Sequence, residues 1–413
     1  MKKRIVLLLS LALAACLLSG CAYLPFAGLT NMLDMTGGNT VRDNGDTVTI
    51  SKELYEKYQQ FDKLIEMQEI AQYYYIEDVE ANDMIEGAAM GLLTGLDDPY
   101  TFYYTPEAYA EYWEDDKGEY AGVGIQITGN YATGLCTISR VFDNGPALEA
   151  GVHKGDILYK VEDLYVDAYS LQDAVDIMRG TPGTDVNVTF LRNGEEISFV
   201  LTRAQINVNR VEAMMLDEGI GYIMLYEFMG DCAVKFETAL NDLVAQGAKG
   251  VIIDLRDNPG GAVDDAKAIG DLFLDKGTLC YLEYRDGTRE YYHTKNGKTE
   301  VPLVILMNEN SASSSEILAG ALKDRADATI VGVQSYGKGI VQSLIPLSDD
   351  GSGMQLTIAQ YFTPNGNKVH KIGITPDVEI ALPKGDNGMY EFGDLGDPQL
   401  CRALEVMKEK MVR

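Results

Sequence analysis

The sequence predicts an α/β protein built from several domains, and three observations carry that expectation. First, Val251 to Leu255, Val301 to Met307 and Thr329 to Val333 are short, nearly continuous apolar runs. Such runs suit strands covered on both faces, because a strand with one wet face alternates instead. Second, two of these runs open into small polar or glycine turns and then into helical patterns, Ala262 to Leu274 and Ile317 to Leu322, which is the strand, turn, helix rhythm of an α/β sheet. Third, residues 119–203 break this rhythm with alternating strands, so 413 residues divide into more than one core.

In chain order, Lys2, Lys3 and Arg4 precede the apolar stretch Ile5 to Leu18. That stretch is too short for a stable span and reads as a secretory leader over residues 1–20. It ends in Leu18-Ser19-Gly20-Cys21, which resembles a bacterial lipobox with Cys21 as the lipidated first residue. The expected location is the cell envelope, on the outer face of the cytoplasmic membrane or in the periplasm. Residues 21–50 are rich in Gly, Asn, Asp and Thr without apolar periodicity, a tether of roughly 30 Å if flexible. Residues 51–118 read as helical: Leu54, Tyr58, Phe61 and Ile65 share one face, Asn82 to Leu93 forms a second helix, and Thr105-Pro106-Glu107 starts a third that ends near Lys117.

Within residues 119–203 the clearest signal is a hairpin. Val186, Val188 and Phe190 alternate, Asn193-Gly194 turns the chain, and Ile197, Phe199 and Leu201 alternate back. Ser170-x-x-Asp173 reads as a capping box ahead of a helix that buries Leu171, Ala174, Val175 and Met178. Residues 204–382 carry the buried strands, and residues 383–413 a linker and an amphipathic helix from Asp397 to Met411.

The chemistry concentrates where Val301 to Met307 hands over to a helix through Asn308 to Ser315. Helix N-termini offer unpaired N–H groups and a positive dipole end, which favour an alkoxide or an oxyanion. Ser313 stands at that point. The competing reading makes it the N-cap of a capping box with Glu316. Downstream, glycines flank Lys338 in Gly337-Lys338-Gly339 and let the backbone bend closely around it. A lysine serves as base only where desolvation lowers its pKa; at about 10.4 only about one in a few thousand is neutral at pH 7. The competing reading is a solvated loop lysine.

A net charge of −29 argues against nucleic acid, whose phosphates need clustered Lys and Arg. Cys136, Cys232, Cys280 and Cys401 are scattered without metal-ligand spacing, so no metal or cofactor is expected. Of the histidines His153, His293 and His370, only His370 suits a triad base. The pair Asp264-Asp265 reads as the solvated face of a helix.

Asn310-Ser311-Ala312-Ser313-Ser314-Ser315-Glu316-Ile317, followed by Gly337-Lys338-Gly339-Ile340-Val341-Gln342, resembles the active-site signature of the C-terminal processing peptidases, the tail-specific serine proteases. The resemblance implies Ser313 as nucleophile, Lys338 as base and Gln342 as the amide that orients the lysine. Members often have Ala where this chain has Ser314. Asp254-Leu255-Arg256-Asp257-Asn258-Pro259-Gly260-Gly261 also matches, which implies an oxyanion hole from the N–H of Gly260 or Gly261 together with that of Ser314. Gly122-Val123-Gly124-Ile125 and Gly145-Pro146-Ala147 resemble a PDZ domain of the bacterial protease type. By that likeness Val123, Gly124 and Ile125 hold a peptide carboxylate, Leu171 lines the side-chain pocket and Arg179 gates the protease; the competing reading of Arg179 is a solvated charge at a helix C-terminus, favoured by the dipole. The fold then expected is α/β with a crotonase-like core, a PDZ domain and a helical N-terminal region that forms a homodimer with the C-terminal helix. The expected substrates are secreted or membrane proteins taken by their C-termini. A PDZ-bearing scaffold or chaperone with an inactive protease domain is the competing class.

Overall fold

The computed structural model describes residues 42–43, 48–117, 119–130, 133–143, 145–295, 297, 299–347, 350–383 and 390–412. The leader, Cys21 and nearly all of the expected tether lie outside the described residues. The chain forms two compact units, one of Met1–Glu107 with Gln342–Thr357 and one of Ala108–Val341 with Ile358–Arg413.

The first unit holds helices α1 (Lys52–Gln59), α2 (Asp62–Tyr74) and α3 (Ala81–Thr94), and strand β1 (Phe102–Tyr104), which pairs antiparallel with Gly353–Gln355. The single helix face expected of Leu54, Tyr58, Phe61 and Ile65 is broken, because the chain turns at Gln60 and Phe61 between α1 and α2. None of the three helices buries a residue, and Tyr58, Phe61 and Ile65 are about half exposed. Within this unit the Gln342 amide donates to Thr357 Oγ1 at 3.1 Å.

The second unit begins with α4 (Pro106–Lys117) and then strand β2 (Glu119–Gly122). An antiparallel sheet follows, of β3 (Ile125–Gly129), β4 (Cys136–Val141), β5 (Ile157–Val161), β6 (Leu164–Tyr165), β7 (Asp185–Arg192) and β8 (Glu195–Thr202), in the order β8-β7-β5-β4-β3 with β6 beside β5. Asn193 and Gly194 both take positive φ, 54° and 84°, as a two-residue turn between right-twisted strands requires. Helices α5 (Pro146–Ala150) and α6 (Leu171–Met178) complete this module, and β9 (Ala204–Asn207) pairs with β2 where the chain enters and leaves it. The capping box expected of Ser170 and Asp173 does not form. Ser170 makes no side-chain cap; Asp167 Oδ1 instead accepts from the Tyr169 and Ser170 N–H groups, an Asx turn that delivers the chain to α6.

Beyond lies a six-stranded sheet of β10 (Val211–Leu216), β11 (Ile220–Leu225), β12 (Gly250–Asp254), β15 (Leu303–Met307), β16 (Thr329–Gly332) and β17 (Val378–Glu379), in that order and parallel except for β10. The strands between, β13 (Gly277–Tyr284) and β14 (Arg289–Thr294), form a second sheet in which β13 also pairs with residues 359–362. The continuous apolar runs follow from cover on both faces of the first sheet. Val251, Ile253, Leu303 and Ile305 point to α7 (Cys232–Ala245), α8 (Val263–Asp271) and α9 (Ser314–Arg325). Their neighbours Ile252, Val304 and Leu306 point to α10 (Pro398–Met411), whose Leu400, Ala403, Val406 and Met407 are buried against them. The apolar face of α10 is thus consumed within its own chain. Asp264 and Asp265 are half-buried in the first turn of α8, where the dipole favours them.

Candidate active site

Ser313 sits between the buried end of β15 and the first turn of α9 with φ 54° and ψ −116°, a conformation that costs an L-residue on the order of 1–3 kcal/mol. A sharp, strained strand-to-helix turn of this kind lifts a serine hydroxyl ahead of the helix N-terminus. The neighbouring serines are committed elsewhere. Ser311, Ser314 and Ser315 are fully buried, and their hydroxyls donate to the carbonyls of Leu255 (2.7 Å), Gly261 (2.8 Å) and Asn258 (3.0 Å). Ser313 is the one of the four that reaches solvent.

Those three carbonyls belong to the segment that leaves β12 and packs against the serine turn. Asn258 is fully buried; its amide donates to Leu225 O (2.7 Å) and its Oδ1 accepts the Gly260 N–H (2.9 Å). Gly260 and Gly261 have φ of 101° and 138°. A Cβ on Gly260 would stand 2.7 Å from Ser313 Cβ, and one on Gly261 2.0 Å from Phe228 O, so both positions demand glycine. Among the described residues the N–H groups of Gly261 and Ser314 have no hydrogen-bond partner.

The carboxylate of Glu316, fully buried, collects five donors. Oε2 accepts from the backbone N–H of Ser313 (3.0 Å), the backbone N–H of Lys338 (2.9 Å) and the Tyr361 hydroxyl (3.2 Å). Oε1 accepts from Ser335 Oγ (2.5 Å) and the Gly337 N–H (2.7 Å). Burial raises the Glu316 pKa above the usual carboxylate range even though these bonds pull it down. Sequence reading gave Glu316 only its local capping partner; the others come from residues 335 to 361, with no local signal. The Gly337-Lys338-Gly339 loop is also wedged. Lys371 N–H donates to Gly337 O (2.8 Å), and a Cβ on Gly339 would stand 2.0 Å from His370 N. Lys338 is half-buried.

Asp257, with φ 58°, is held by Asn308 and Asn310, whose amides donate to its Oδ1 at 2.9 and 2.8 Å. No group of side chains able to hold a metal ion occurs among the described residues. Cys136, Cys232 and Cys280 are buried free thiols, and burial pushes the Cys280 thiol up to about 12.

In the antiparallel module Val123, Ile125, Val175, Met178 and Arg179 line a cleft of about 460 Å³ between β3 and α6, with Tyr226 and Met229 of the sheet domain on its far side. The carbonyls of Val123 and Gly124 accept from Ala147 and Phe142 N–H, both at 3.0 Å. Gly124 has φ 82°, and a Cβ there would meet Gly145 Cα at 2.6 Å. Leu171 lies at the start of α6, against Gly129. Arg179 ends the helix with its guanidinium 5.5 Å from the Tyr120 ring centroid. Arg140 joins the module to the sheet domain through Glu212 (2.7 Å) and the face of Tyr226 (3.5 Å to the centroid).

An α/β sheet with a strained serine at a helix N-terminus, a glycine turn against it and a PDZ domain upstream defines a serine-type peptidase. Comparison with known proteins agrees. The family model for peptidase family S41 matches residues 219–380, a PDZ domain model residues 121–202, and the N-terminal domain of the activating protease CtpB residues 22–108. The chain is 40% identical over 315 residues to the carboxyl-terminal-processing protease of Synechocystis sp., covering 74% of this chain and 72% of that one. It is 33% identical over 346 residues to carboxy-terminal processing protease CtpA of Bacillus subtilis, covering 81% and 74%. The solved photosystem II D1 C-terminal processing protease superposes with a TM-score of 0.57 at 30% identity, over 84% of this chain and 91% of that one. This chain belongs to the carboxyl-terminal-processing proteases of peptidase family S41.

Proposed function

We propose that the protein is an endopeptidase that cleaves with a Ser313–Lys338 pair and takes substrates by their C-termini in its PDZ domain. The observation that carries this reading is the meeting of the Ser313 and Lys338 backbone N–H groups on one buried oxygen of Glu316. Ser313 Oγ attacks the scissile carbonyl while neutral Lys338 takes its proton, and the lysine then protonates the leaving amine. Water cleaves the acyl-enzyme by the same route in reverse roles. The oxyanion is received by the Ser314 and Gly261 N–H groups, because the Gly260 N–H is engaged by Asn258 and Gly260 instead supplies the room for Ser313. Gln342 keeps the supporting role that the family pattern implies.

In this reading the loop Val123, Gly124 and Ile125 takes the carboxylate, Val123 and Ile125 line the cleft, and its apolar walls suit an apolar C-terminal side chain. With a lipid on Cys21, the substrates are secreted or membrane proteins at the outer face of the membrane; a Cys21→Ser protein that stays in the membrane fraction at unchanged mass would count against that anchor. Cleavage of an unstructured protein with an apolar C-terminus tests the chemistry. Ser313→Ala should lower turnover by roughly 10⁶, and Ser311→Ala should retain cleavage in proportion to its folded fraction. Wild-type turnover in Ser313→Ala, with loss in a neighbouring serine variant, would refute the assignment.

A further inference from the structure

The turn from Leu255 to Gly261 is fastened at its middle and at its start, and the second fastening comes from the C-terminal helix. At the middle Asn258 ties the turn to β11 and to the serine loop. At the start, Arg256 is clamped between two carboxylates. Its Nε and Nη2 donate to Asp254, with Nη2 to Oδ2 at 2.6 Å, and Asp254 Oδ1 also accepts the Arg256 backbone N–H at 3.0 Å. Its Nη1 reaches Asp397 Oδ2 at 2.6 Å and Gln399 Oε1 at 3.1 Å. Asp397 is 2% exposed and caps α10, its Oδ1 accepting from the N–H groups of Gln399 (2.8 Å) and Leu400 (3.2 Å). The two oxygens of one carboxylate thus do two jobs: one caps a helix and the other holds the arginine. The helix itself is fixed by burial of Leu400, Ala403, Val406 and Met407 under the sheet, so it is a rigid point of attachment.

Capping alone does not call for this arrangement. Asparagine caps as well as aspartate, and α10 needs no arginine 141 positions upstream. A buried carboxylate is costly unless paired, and here the pair lands on the residue next to the strained Asp257 and four before Gly260. We propose that Asp397 is a positioning residue of the protease: through Arg256 it fixes the start of the turn whose other end carries the Gly261 N–H, so the C-terminal helix sets the geometry of the oxyanion site. This inference rests on the proposed reading of that turn. Asp397 touches no reacting atom; its effect is on where the turn sits, and displacements on the order of 1 Å in a site of this kind cost about a hundredfold in rate.

Asp397→Asn separates the two jobs, because it retains the cap and removes the charge facing Arg256. The full chain carrying Asp397→Asn is compared with wild type, Arg256→Gln and the double variant in steady-state cleavage of an unstructured protein substrate and in thermal unfolding, with Ser313→Ala alongside. The inference expects kcat roughly 10- to 100-fold lower in Asp397→Asn, KM within about twofold and Tm within a few degrees of wild type. It also expects that adding Asp397→Asn to Arg256→Gln lowers kcat no further. Unchanged kcat in Asp397→Asn, a loss explained by its unfolded fraction, or an undiminished loss in the Arg256→Gln background would overturn it. Ser313→Ala distinguishes the failures: if it is dead while Asp397→Asn is fully active, the inference falls and the site reading stands; if it cleaves normally, the site reading falls and takes the inference with it.

Discussion

One oxygen of Glu316 receives the backbone of both Ser313 and Lys338, so a single buried side chain sets the distance between the two loops. The side chain has two acceptor oxygens and faces five donors, and an amide cannot replace it. Whichever way the amide of Glu316→Gln is turned, its NH₂ points at N–H or O–H groups and one set of bonds is lost. Glu316→Gln should therefore lower kcat by at least about 100-fold with KM for a short peptide changed little, since the loss concerns alignment rather than substrate contact. Steady-state kinetics on folded, purified variant check this, and kcat within a few-fold of wild type would remove Glu316 from the alignment. The raised pKa has a sign of its own. The carboxyl is protonated more readily in the folded chain than in the unfolded one, so its contribution to stability is greatest at low pH and is lost as pH rises through the raised value. The ionised form, which accepts all five donors, is thus held against the stability of the fold.

At the scale of elements, α6 runs from the cleft beside β3 to Arg179, whose guanidinium lies toward the Tyr120 ring at the helix end. If occupancy of the cleft is read through this residue, Arg179→Ala should lower kcat on a short peptide more than it weakens binding of a C-terminal tail. The check is peptide cleavage by wild type and Arg179→Ala with and without a saturating C-terminal peptide; equal kcat in all four leaves the PDZ domain a docking module only. The strands around the site were legible because burial on both faces writes a continuous apolar run, as in Val301 to Met307. The serine turn was legible because its polar residues interrupt two such patterns. The caps were less so: Ser170 and Asp173 fit the pattern, yet Asp167 makes the turn, since an Asx turn three residues earlier already takes the Ser170 N–H that the box would use. Glu316, Tyr361 and the Arg256–Asp397 pair lay beyond local reading, because their partners are brought together only by the sheet order. The break between α1 and α2 also escaped, since Leu54, Tyr58, Phe61 and Ile65 keep helical spacing across it.

For the whole molecule, the helices α1 to α3 pose the outstanding packing problem. Phe61, Ile65, Ile70 and Tyr73 are each about half exposed or more, and no residue of the three helices is buried. Helices this short gain most of their stability from packing an apolar face. The C-terminal helix has spent its own apolar face on the sheet, so self-association, if the chain dimerises, would rest on the N-terminal helices. The full mature chain should sediment as a dimer and Ile65→Lys with Ile70→Lys as a monomer; a wild-type monomer at every concentration would contradict this. No helix among the described residues is long and apolar enough to cross a membrane. The central claim, at this scale as at the smallest, is that a lysine and not a histidine activates the serine. Turnover of an unstructured protein substrate by Lys338→Ala, measured from pH 6 to pH 10 beside unfolding curves, tests it most directly. The account predicts loss to background at every pH with Tm near wild type, and cleavage by Lys338→Ala at a rate comparable to wild type would contradict it.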